Sequence, residues 1–153
     1  MIDCSVFAGS SQGSGAGKSL FEIEKCIAVT EGRNCFDREK RFEAGSVLFI
    51  ATDSGASDFY KGLDDLGYTE HPAVEQGEVE PGEPGYDQQA ACLYLWAEST
   101  EEGIERWSAT MSGLVRLSEF AKEKNLRYIV IDSAKTTFDH YDNNSSVASK
   151  GPL

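Results

Sequence analysis

The chain has 153 residues, enough for one domain around a single packed core. Its formal charge of −12 repels phosphate backbones, so the molecule as a whole offers no electrostatic support for nucleic-acid affinity. No apolar run approaches the roughly 18–20 residues of a membrane span, and no basic-then-apolar leader opens the chain. Cys4, Cys26, Cys35 and Cys92 form no C-x-x-C pair, so free thiols in a reducing, cytoplasmic compartment are expected rather than a zinc site.

In chain order, the first element is an apolar strand, Cys4 to Ala8. It runs into a glycine-rich loop, Gly9-Ser10-Ser11-Gln12-Gly13-Ser14-Gly15-Ala16-Gly17-Lys18-Ser19. Strand, glycine loop and helix start are the order that a phosphate-binding P-loop requires. Glycines let successive backbone N–H groups point inward around an anion, and the helix N-terminus adds its dipole. Gly13, Ser14, Gly15, Ala16, Gly17, Lys18 and Ser19 are the expected nucleotide-binding residues. Lys18 is placed to reach the β- and γ-phosphates, and the Ser19 hydroxyl to ligate Mg²⁺. One letter departs from G-x-x-x-x-G-K-[ST]: Gln12 stands where the first glycine belongs, and Gly13 follows one place late.

A helix is predicted from Lys18 to about Thr30, closed by Gly32. Residues 34–44 are charged and expected to be irregular. Ser46 to Ala51 is a continuous apolar run, the pattern of a strand buried on both faces. Asp53-Ser54-Gly55 then turns into a helix capped by Ser54 or Ser57, running to about Leu66 and ended by Gly67. Residues 68–86 interleave Pro, Gly and Glu and read as an extended, solvated surface loop. Ala90 to Ala97 is a third apolar run. A helix is predicted from Thr100 to about Lys124, with Trp107 and Met111 in its core-facing stripe. Arg127 to Asp132 is the last strand. Strands alternating with helices imply an α/β fold, a mostly parallel sheet with flanking helices.

Tyr128-Ile129-Val130-Ile131-Asp132 has the form of a Walker B element, four apolar residues and then an acid. Asp132 at the end of a strand near the P-loop is expected to help hold Mg²⁺ beside Ser19.

With these motifs in place, the chain resembles the RecA-like P-loop ATPase core, in the branch of hexameric plasmid replicative helicases and related phage and mobile-element ATPases. Three blocks carry the resemblance: Ala8 to Gly32, Gly45 to Ser54, and Tyr128 to Val147. It implies ATP and Mg²⁺ as ligands, hydrolysis coupled to DNA replication or helicase-type motor work, and a homo-oligomer, hexameric in that family. Single-stranded DNA is then a partner only of the full-length assembly.

Two departures from the family are visible. Thr52 falls where the family has a water-orienting glutamate, leaving Asp53 and Glu98 as the candidate catalytic acids. The segments that carry a γ-phosphate sensor and an arginine finger have no match, so a single, partial domain truncated at its C-terminus is expected. A non-hydrolysing nucleotide-binding switch or sensor stays open beside the motor. A small-molecule kinase is disfavoured, because residues 68–86 contain no Arg or Lys to serve as a lid.

Overall fold

The computed structural model of the chain describes residues 16–99 and 103–133. The expected first strand, loop residues Gly13 to Gly15 and the segment from residue 134 onward lie outside the described residues.

The elements in order are α1 (Ala16–Glu31), β1 (Ser46–Ala51), α2 (Ala56–Asp65), α3 (Pro72–Glu78), β2 (Leu93–Ala97), α4 (Met111–Glu123) and β3 (Leu126–Asp132). The three strands form one parallel sheet in the order β2-β1-β3. This is the α/β class expected from the sequence. β1 lies between the other two, and its side chains are apolar and buried on both faces. Val47, Phe49 and Ala51 pack under α1, α2 and α3, while Leu48 and Ile50 face the α4 side. Alternate residues of β2 and, from Tyr128 on, of β3 follow the same rule, while Leu126, before the irregularity opposite Ser46 and Val47, packs on the α4 side. Leu95, Ala97, Tyr128 and Val130 join the first layer, and Tyr94, Trp96, Ile129 and Ile131 the second.

α1 ends as the sequence indicates. Gly32 adopts a left-handed φ of 68°, and Arg33 N–H closes back on the Ala28 carbonyl at 3.0 Å. A side chain at Gly32 would also run into the Phe42 carbonyl.

Four expectations are corrected. α2 is capped by Gly55 without a side-chain hydrogen bond, so neither Ser54 nor Ser57 is its cap. The segment 68–86 is not wholly a solvated loop. Pro72 occupies the first turn of α3, the His71 ring accepts a hydrogen bond from Ala73 N–H at 3.1 Å, and Ala73 and Val74 are buried. Proline there starts a helix, since its missing N–H would have had no partner anyway. The third strand begins at Leu93 rather than Ala90, because Ala90 N–H bonds to Asp87 and Cys92 N–H to the Ser46 hydroxyl.

The last correction concerns α4, which starts at Met111. Thr110 is its N-cap, accepting from Gly113 N–H at 3.2 Å. Residues 103–110 are irregular, with Ile104 bridged to Ser99. Trp107 is buried as expected, but from this irregular segment, donating its indole N–H to the Gly113 carbonyl at 3.0 Å. Met111 is 79% exposed instead of buried.

Candidate functional site: the α1 N-terminus and the β3 end

The period-two rule places Asp132 on the same face of β3 as Tyr128 and Val130, which is the α1 face. α1 runs back along that face, so its first turn meets the C-terminal end of β3. There the Ser19 hydroxyl donates to Asp132 Oδ2 at 3.1 Å, across 113 residues of sequence. Both groups are half-buried. Lys18 is exposed beside them, and among the described residues no neighbour comes within 4 Å of the space a side chain at Gly17 would occupy.

The first backbone N–H groups of a helix have no intrahelical acceptor. α1 carries no acidic residue in its first turn to neutralise that positive end. A helix start whose first N–H groups have no intrahelical acceptor, with an exposed lysine beside it, suits an anion such as a phosphate group. The Ser19 hydroxyl and the Asp132 carboxylate are hard oxygen donors side by side, a donor set that fits Mg²⁺. Ala16, Gly17, Lys18 and Ser19 thus form the first turn of α1.

The exit of β1 is arranged differently from the family pattern. Ala51 is in register with Asp132, and the ladder continues one step further through Thr52 N–H to the Asp132 carbonyl at 2.7 Å. The buried Thr52 hydroxyl donates to the Ser133 carbonyl at 2.8 Å. Thr52 therefore clamps the backbone on both sides of the Asp132–Ser133 peptide. The sequence reading placed Thr52 by alignment alone and missed this clamp. Its signal was a hydroxyl residue directly ending a fully apolar run.

Asp53 and Glu98 follow the C-terminal ends of the adjacent strands β1 and β2, so both stand at the same end of the sheet as Asp132. Both are exposed and neither forms a hydrogen bond or ion pair among the described residues. Neither is drawn into contact with Ser19 or Asp132.

Two clefts lie elsewhere. One, of about 470 Å³, is lined by Glu24, Arg33, Arg38, Arg41 and Tyr68 among others. The second, of about 410 Å³, lies around Arg106, Trp107 and Arg116. The first adjoins a polar cluster at the far end of α1. Arg33 pairs with Glu24 at 2.6 Å and with Glu31, and the Tyr68 hydroxyl donates to Glu24 at 2.6 Å. Burial, together with the hydrogen bond it donates to Glu24, pushes the Tyr68 phenol up to about 12. Burial alone would raise Glu31, but hydrogen bonds from Arg33 and His71 outweigh it and hold the carboxyl below its usual range.

Among the described residues no three or more His, Cys, Asp or Glu gather as a metal cluster, and no helix is long and apolar enough to cross a membrane. No curated protein and no solved structure matches the chain. Residues 6–153 match the family described as AAA domain, a span that contains the glycine loop, Ser19 and Asp132. The chain belongs to the AAA domain family of P-loop ATPases.

Proposed function

We propose that this chain binds ATP with Mg²⁺ at the first turn of α1, and that hydrolysis is coupled to helicase-type motor work in DNA replication. The observation that carries the nucleotide part is the contact of Ser19 with Asp132. In this reading residues 13–18 offer backbone N–H donors to the phosphates, and Lys18 adds a charge-assisted contact. Ser19 and Asp132 hold the metal. Mg²⁺, when bound, neutralises phosphate charge. Asp132 also keeps the Ser19 hydroxyl oriented by accepting its hydrogen bond.

The motor part rests on the family match and on the resemblance to hexameric plasmid helicases. One observation favours a second reading, a nucleotide-dependent switch with little turnover. Thr52 offers no carboxylate, and its hydroxyl is already committed to Ser133. Asp53 and Glu98 stay the candidate bases; each is exposed and would have to act through water.

ATP turnover measured with and without single-stranded DNA separates the two. A motor shows turnover that rises when DNA is added. A switch binds ATP and shows little turnover, unchanged by DNA. Absence of ATP binding would contradict both.

A further inference from the structure

We propose that the basic hairpin over residues 33–41 and the acidic segment over residues 70–87 form an interface between two copies of this chain, each hairpin docking on the other copy's acidic segment. The proposal is independent of the nucleotide site.

The hairpin concentrates Arg33, Arg38, Lys40 and Arg41, four of the 14 Lys and Arg residues of a strongly acidic chain. It is a built element rather than a loose loop. Arg33 and Arg41 form an antiparallel bridge, and Phe42 N–H bonds to Gly32 at 3.0 Å. Asn34 Oδ1 accepts from the N–H groups of Phe36 and Asp37 at 2.8 and 3.1 Å. This turn holds Phe36 at the tip, 75% exposed. Arg33 is satisfied by Glu24 and Glu31, and Lys40 by Asp37. Arg38 and Arg41 form no ion pair among the described residues, and both line the cleft of about 470 Å³.

The acidic segment mirrors this. Glu70, Glu75, Glu78, Glu80, Glu83 and Asp87 occur there without any Lys or Arg. All are exposed, and none forms an ion pair among the described residues. This segment is also held in shape. Gln76 donates to the Gly85 carbonyl at 2.8 Å and accepts from Asp87 N–H at 3.1 Å. Its turns expose Pro81 and Pro84, flat apolar faces on which an aromatic ring can rest. Preorganised surfaces lose less conformational entropy on association.

The topology selects the symmetry. The hairpin leads into the start of β1 and the acidic segment into the start of β2. Those strands are parallel neighbours, tied at their starts by Cys92 N–H to the Ser46 hydroxyl at 3.0 Å. Both surfaces therefore belong to one end of the sheet, opposite Ser19 and Asp132. A two-fold axis through that end makes each complementary contact twice, the isologous arrangement of most homodimers. Exposed Phe36 supplies the buried anchor that ion pairs at a rim do not. Nucleic acid is the weaker occupant. Asp37 and Glu39 lie within the hairpin, Glu24 and Glu31 line the cleft, and the whole chain repels phosphates.

Sedimentation of the full chain tests this with two charge-reversed variants, Arg38→Glu/Arg41→Glu and Glu75→Lys/Glu80→Lys. The wild type is expected to dimerise, each variant alone to lose about tenfold or more in dimer affinity, and their equimolar mixture to recover it as a heterodimer. Recovery on mixing also shows that both variants are folded. A wild type that stays monomeric up to about 1 mM, or a dimer indifferent to both variants, would overturn the proposal. So would a monomer that binds a labelled single-stranded oligonucleotide and loses it in Arg38→Glu/Arg41→Glu.

Discussion

Ser19 and Asp132 meet because a helix start and a strand end share one face of the sheet. The Asp132→Asn change keeps shape and leaves an oxygen to accept from Ser19, but removes the charge that suits Mg²⁺. Calorimetry should show Mg²⁺-dependent ATP affinity reduced by about tenfold or more, with the ligand-free melting temperature little changed. A large loss of stability with unchanged metal dependence would make Asp132 a structural acid. Glu31 makes a prediction of the opposite kind, on stability and not on ligand. Because its carboxyl is held below the usual range, its contribution is present above about pH 4.5 and is lost as pH falls through the lowered value. Melting temperature should therefore drop more steeply below about pH 4.5 in the wild type than in Glu31→Gln. The gap should correspond to less than about 1 kcal/mol, since the side chain is partly exposed and screened. Identical profiles would remove the ion-pair role. At this scale the meeting of Ser19 and Asp132 was legible, because a glycine loop opening a helix and an acid ending an apolar run are patterns of residue type and spacing. The Thr52 clamp was not, because its partner is a carbonyl, which every residue has.

Elements were legible where pattern and punctuation agreed. β1 was plain, an apolar run of strand length. Gly32 and Gly67, both at positive φ, stop α1 and α2 where the sequence suggests. α3 and α4 were misread for one reason: residues with two meanings took the wrong one. Pro72 marks a loop in composition but a first turn in a helix. Ile104 and Trp107 fit a helical repeat with Met111, yet Thr110 interrupts it as the better cap. Packing then separates the two classes of apolar residue. Leu48→Ala, in the central strand, should cost about 2–5 kcal/mol. Met111→Ala should stay within about 0.5 kcal/mol. Denaturant unfolding measures both, and equal losses would contradict this assignment of the α4 faces.

The whole molecule is a parallel three-stranded sheet, among the described residues, with helices on both faces. That alternation was readable because parallel neighbours need crossovers and buried strands need unbroken apolar runs. Strand order was not readable, since no local signal says which run lies centrally. Parallel pairing puts the C-terminal ends of all three strands on the side of Ser19 and Asp132, and Thr52 there supplies no carboxylate. Turnover by this chain should accordingly be below about 1 s⁻¹; a homogeneous preparation that exceeds it would direct mutation to Asp53 and Glu98. The central claim is that the first turn of α1 is a phosphate site served by Lys18. It is tested most directly by calorimetric titration of ATP with Mg²⁺ into the wild type and into Lys18→Ala, with melting curves of both ligand-free proteins. The account predicts binding by the wild type, a strong loss in the variant, and the same melting temperature for each. Equal binding by both, or none by the wild type, would contradict it.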